Sequence, residues 1–143
     1  MHELKKWAFI ISAADRPGVM TSVASVFSGR GLQVEAIMGN GGRPGNAELT
    51  VIFEALESRK ESMFKLIGRL ENVHHVEAHD CTSDTLLRCI SVKVEPEIHV
   101  SESLIPVPGH SGIYTFTGTY SEVESILDNI SVKLISWHLV ELK

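Results

Sequence analysis

Residues 14–20 read Ala-Asp-Arg-Pro-Gly-Val-Met, and they stand where a short apolar run ends and a helical pattern begins. Asp15 can accept hydrogen bonds from the first free N–H groups of a helix, Pro17 fits a first helical turn, and Gly18 lets another group approach the backbone closely. A helix start of this kind attracts carboxylates, because its dipole and its unpaired N–H groups both favour an anion. A small acid or an amino acid is the expected visitor. The same residue types also build ordinary strand-to-helix connections, so the surrounding pattern has to weigh between the two.

Upstream, Trp7 to Ala13 is apolar at nearly every position, which suits a strand buried on at least one face. Downstream, Gly18 to Arg30 places Val19, Val23, Val26 and Phe27 at helical spacing, and Gly29 and Gly31 stand where a helix stops. Leu32, Val34, Ala36 and Met38 then alternate with Gln33, Glu35 and Ile37, so a second strand runs up to the turn Gly39 to Gly45. That turn reads GNGGRPG. It lacks the GxxxxGK[ST] order of a phosphate cradle and joins two strands, so it is read as a flexible hairpin. Leu49, Val51, Phe53 and Ala55 give a third strand, and Ser58 with Glu61 forms the spacing of a capping box for a second helix. That helix carries Met63, Phe64, Ile67 and Leu70 on one face, and Asn72 to His79 follows as a fourth strand. The order strand, helix, strand, strand, helix, strand predicts an α+β fold over residues 1–80. It is a ferredoxin-like βαββαβ unit, an antiparallel sheet covered on one face by two helices.

After a linker at 81–85, the pattern partly repeats over residues 86–143. Leu87 to Val94 reads as a strand, Ile113 to Thr117 as another, Ser121 with Glu124 as a second capping box, and Val123, Ile126, Leu127 and Ile130 as a helical stripe. Val132 to Leu142 closes the repeat. Phe53 precedes Ser58, and Phe116 precedes Ser121, by the same interval, which points to a weak internal duplication. The second copy is shortened: between Val94 and Gly112 there is room for an extended piece such as Ile98 to Leu104. Pro96, Pro106, Pro108 and Gly109 leave little room for the helix that the first copy has there.

With 143 residues and 43% hydrophobic content, the chain is long enough for one ordinary domain or two small ones with genuine cores. Its formal charge of -5, with no basic run longer than Lys5-Lys6, argues against nucleic acid as a partner. The apolar run Trp7 to Ile11 is too short to span a bilayer and lacks the pattern of a secretory signal, so a cytoplasmic protein is expected. Cys81 and Cys89 fit that compartment as free structural thiols.

Seven histidines invite a metal hypothesis, above all His74, His75 and His79 near Glu77, Asp80 and Cys81. On a strand His75 and His79 share a face while His74 points away, so at most two could reach one ion, and a polar surface strand is the preferred reading. His2, His99, His110 and His138 are isolated. Glu122 with Glu124, and Glu95 with Glu97, read as solvated faces, and no nucleophile with a base stands out from spacing. The residues therefore argue for a binding protein over a small metal-dependent enzyme.

The strand, the DRPGV turn, the helix ending in FSGRGLQVEA and the second helix-strand pair resemble an ACT domain, a small module that binds amino acids and regulates enzymes. The fuller likeness is to the small regulatory subunit of acetolactate synthase, also called acetohydroxyacid synthase, which has a second ACT-like domain after a short linker. The resemblance implies a homodimer formed through the ACT domains, with valine or another small amino acid bound at the junction of two protomers. It implies no active site and no cofactor of its own. Such a subunit activates a thiamine-diphosphate-dependent catalytic subunit in branched-chain amino acid biosynthesis and makes it sensitive to the effector. On this likeness the ligand meets Asp15, Pro17, Gly18, Val19 and Met20, and Gln33 and Val34 close the pocket from the second strand. Asp15 and Gln33 depart from the family, which has Asn at both places. A stand-alone ACT sensor serving another pathway is the alternative within the same class.

Overall fold

The computed structural model describes residues 3–96, 102–129 and 132–141, with the backbone alone at 40–43 and 141. Ile98, His99, Glu97, Ile130, Leu142 and His2 lie outside the described residues. The chain forms two compact units that divide between Cys81 and Thr82.

The first unit runs β1 (Lys5–Ala14), α1 (Val19–Gly29), β2 (Gln33–Arg43), β3 (Asn46–Ala55), α2 (Glu57–Gly68) and β4 (Val73–Asp80). Its four strands pair in the order β2-β3-β1-β4, antiparallel throughout, which is the ferredoxin-like arrangement the sequence predicts. β1 is central because its odd positions, Trp7, Phe9, Ile11 and Ala13, all enter the core, and Ala8 on the other face is buried as well. α1 contributes Val19, Val23 and Phe27, and α2 contributes Met63 and Ile67. Phe9, Phe27 and Phe53 meet at its centre, with ring centroids 4.8 Å apart for Phe9 and Phe53 and 4.9 Å for Phe27 and Phe53. Each such ring contributes about 1.5–3 kcal/mol by leaving water, so α1 is held to the sheet chiefly through Phe27.

The second unit runs β5 (Leu86–Val94), β6 (Ile105–Pro106), β7 (Ile113–Gly118), α3 (Tyr120–Leu127) and β8 (Val132–Glu141). Its sheet has the order β6-β7-β5-β8, which is the order of the first sheet with the first helix left out. Among the described residues no helix lies between β5 and β7; instead Leu104 is buried against Ile90, Val92, Val94 and Val123. Phe53 on β3 and Phe116 on β7 hold equivalent places, opposite Trp7 and Ile90 respectively. Arg88, only 6% exposed, lies on the same face of β5 as that core. Its guanidinium carbon is 4.8 Å from the Trp137 ring and 5.1 Å from the Tyr120 ring, and Nη1 donates to Glu124 at 2.8 Å.

Three local expectations are corrected. Ser58 does not cap α2: the helix follows β3 after one residue, Leu56 occupies the N-cap position, and Ser58 is already helical, its carbonyl accepting from the Ser62 hydroxyl. Ser121 does not cap α3 either. The sequence carries the capping-box spacing twice, and the copy nearer the strand end is used: Thr119 accepts from the Glu122 amide while Glu122 accepts from the Thr119 amide at 3.0 Å. Glu124 is drawn away by Arg88. The Gly-rich turn is also tighter than 39–45, because β2 keeps pairing with β3 as far as Arg43↔Asn46 and only Pro44 and Gly45 are left to turn, with Gly45 at φ 79°.

Candidate functional site

The turn after β1 is fixed by its backbone. The Ala14 amide donates to the Asn72 carbonyl at 2.8 Å and the Asp15 amide to the Gly45 carbonyl at 3.1 Å, which ties the turn to the β2–β3 hairpin. Gly18 takes the N-cap position of α1 with φ 87°, a left-handed conformation that disfavours a side chain, and its carbonyl accepts from the Ser22 amide at 2.9 Å. Asp15 is exposed and does not cap the helix, contrary to the sequence reading: it lies three residues before the N-cap, and no side chain bonds to the helix start.

Among the described residues, the three helix starts differ in how they are closed. α3 is closed by Thr119 and Glu122, and α2 has Glu57 in its first turn. α1 has neither a side-chain cap nor an acidic residue in its first turn. Its positive end is therefore the one among the described helices not already answered by a side chain.

Val19 is buried, while Pro17, Gly18 and Met20 are exposed around this helix start. Met20 crosses to the edge strand: a Cβ at Gly39 would fall 2.7 Å from Met20 Cε and 3.0 Å from Leu49 Cδ2. A Cβ at Gly39 would push the end of the methionine aside. Sequence reading placed Gly39 in a turn and so missed this contact, although a glycine within a strand is a known sign of close approach.

Gln33 and Val34 are not brought to the turn within one chain. They pair with Glu54 and Phe53, level with Lys6 and Trp7 at the start of β1, whereas the turn follows Ala14 at its end. The separation is about eight residues of strand, or roughly 26 Å. Gln33 is exposed, and Val34 packs on the core.

On the other side of α1, a cleft of about 190 Å³ is lined by Val19, Ser22 and Val23 and by Leu70, Glu71, Asn72 and Val73 from the α2–β4 connection. No sequence signal marks it, since its two walls come from segments far apart in the chain. The histidines of β4 sit elsewhere: His75 Nε2 is 3.4 Å from one oxygen of Glu77 and His79 Nε2 is 3.5 Å from the other. The carboxylate thus stands between two imidazoles, and among the described residues no group of three ligand-type side chains is arranged for a metal. Cys81 is buried and Cys89 half-buried, both as free thiols. Among the described residues no helix is long and apolar enough to cross a membrane.

Residues 9–75, from β1 into β4, match the family model described as the AHAS small subunit-like ACT domain, AHAS being acetohydroxyacid synthase. Among solved structures, the acetolactate synthase small subunit from Thermotoga maritima is 20% identical over 97% of this chain and 98% of that one, with a TM-score of 0.71. An unknown protein from Galdieria sulphuraria is 13% identical over 99% of this chain and 100% of that one, with a TM-score of 0.44. No curated protein matches the sequence significantly. Residues 9–75 of the first unit thus resemble an ACT domain, and the two-unit fold resembles that of the acetolactate synthase small subunit.

Proposed function

We propose that this ACT-domain protein is a non-catalytic regulatory subunit: it binds a small amino acid where two copies meet and modulates a thiamine-diphosphate-dependent acetolactate synthase of branched-chain amino acid biosynthesis. The observation that carries the reading is the start of α1, the described helix with neither a side-chain cap nor an acidic first turn. A ligand carboxylate supplies the missing negative charge there. Met20 and Val19 border it with apolar surface, and Asp15, exposed and not used as a cap, is available to the ligand's ammonium group.

The distance between the turn and Gln33 fits a site shared by two protomers. β2 is an edge of its sheet and runs from Gln33 to Arg43. Two copies joined antiparallel along this edge set Gln33 and Val34 of one beside the hairpin end of the other, where the Asp15 amide is tied to Gly45. Residues that one chain keeps apart then line one pocket. An effector that favours one arrangement of the pair shifts the partner enzyme by its difference in affinity, typically about 1–3 kcal/mol.

The test is thermal unfolding against each of the twenty amino acids, since a ligand of the folded state raises the midpoint; at a hundredfold excess over Kd it adds about 2.7 kcal/mol. A shift with valine, leucine or isoleucine is expected. A shift with a different amino acid keeps the sensor and moves it to another pathway, and no shift in the presence of an acetolactate synthase catalytic subunit refutes the reading.

A further inference from the structure

We propose that the cleft between α1 and the α2–β4 connection is a second small-molecule site, selective for a short alkylammonium ion. It adjoins the helix start discussed above at Val19 but opens on the other side of α1, where Ser22 and Val23 face the connection, while Met20 reaches toward β2.

The chemistry follows from the lining. Val19, Val23, Leu70 and Val73 supply an apolar floor, with Val23 fully buried. Ser22, Glu71 and Asn72 supply the polar part, and among the described residues none of these three side chains has a hydrogen-bond or ion-pair partner. Glu71 brings the one formal charge in the lining, and no lysine, arginine or histidine lines the cleft to hold an anion. An apolar pocket with a few convergent polar groups is the ordinary form of a ligand site. The charge selects a cation, the hydroxyl and carboxamide can accept its remaining N–H donors, and the valines and leucine take an alkyl body.

Size narrows the class. The cleft measures about 190 Å³, and a cavity of about 150 Å³ accommodates benzene. A primary ammonium on a four- or five-carbon chain therefore fits, and a drug-sized ligand does not. The ligand bridges the second turn of α1 to the segment whose Asn72 carbonyl holds the end of β1 at Ala14.

The experiment titrates the full chain, labelled with nitrogen-15, with 3-methylbutylammonium chloride and follows the backbone amides. Saturable shifts confined to Val19, Ser22, Val23 and Leu70 to Val73 are expected, and 3-methylbutanoate, of the same shape and opposite charge, should leave them unmoved. Glu71→Gln, an exposed substitution that does not threaten folding, should weaken binding about fivefold. Ser22→Leu, also exposed, fills the cleft and should abolish it. Shifts scattered over surface carboxylates, equal response to the carboxylate probe, or unchanged binding in Glu71→Gln would each overturn the proposal.

Discussion

Gly18 permits a quantitative separation of backbone and ligand effects. Its φ of 87° lies in the left-handed region, and a Cβ placed there meets nothing within 4 Å. Gly18→Ala therefore costs no packing, only the left-handed conformation, about 1–2 kcal/mol. In a unit of this size a loss of 1 kcal/mol lowers the midpoint by about 4–8 °C. Gly18→Asn should cost less, because Asn tolerates this region, and Gly18→Asp should be similar to Asn or slightly better, since a carboxylate at a helix start regains about 0.3–1 kcal/mol. The stability order is then Gly, Asp and Asn, Ala. Effector affinity should follow a different order, with Asp far weaker than Asn, as the introduced charge competes with the ligand carboxylate. Thermal unfolding with and without the effector measures both series. Alanine as stable as glycine would refute the account of the turn, and equal affinity in Asp and Asn would show that no carboxylate sits at this helix start.

Gly39→Ala should push the exposed end of Met20 aside at a cost under about 1 kcal/mol, and Met20→Ala in the same chain should remove that cost in a double-mutant cycle. Thr119→Ala should lose about 1 kcal/mol by denaturant unfolding, while Ser58→Ala and Ser121→Ala should fall within about 0.5 kcal/mol of the parent. The Glu122 carboxyl is held below its ordinary value by the hydrogen bond from the Thr119 amide. Its folded pKa being depressed, the stabilisation is present above the unfolded value of 4.5 and is lost as pH falls through the folded one. The protection factors of the α3 amides, corrected for intrinsic exchange, should fall below about pH 4.5, and in Glu122→Gln this pH dependence should disappear.

The first unit was legible because its signals are local and repeated. Alternation in β1 and β3 and the valine-phenylalanine spacing of α1 each have one periodic reading, and together they allow one common topology. Helix starts were harder to place, since Thr119-x-x-Glu122 and Ser121-x-x-Glu124 satisfy the same spacing. The choice rests on where β7 ends and on Arg88, 36 residues from Glu124 in the chain. The Met20 contact with Gly39 and the cleft beneath Ser22 depend on three-dimensional adjacency with no periodic trace. Gln33 and Val34 were grouped with the turn by likeness alone, and the register sets them at the opposite end of the sheet.

The two units differ at positions that explain how one can dispense with a helix. Val92 pairs with Tyr114 as Phe9 pairs with Val51, so valine stands in β5 where phenylalanine stands in β1. Phe9 needs a large neighbour from α1, and Phe27 provides it at 6.0 Å between centroids. Val92 needs less, and Leu104 from the connecting segment joins its cluster without a helix. At the far end of β5, Arg88 lies flanked by Trp137 and Tyr120 and tied to Glu124, so charge and aromatic surface together occupy the space under α3. The helix start in this unit is closed by its own carboxylate at Glu122. On the proposed reading, recognition of an external carboxylate falls to the first unit, whose α1 begins without one.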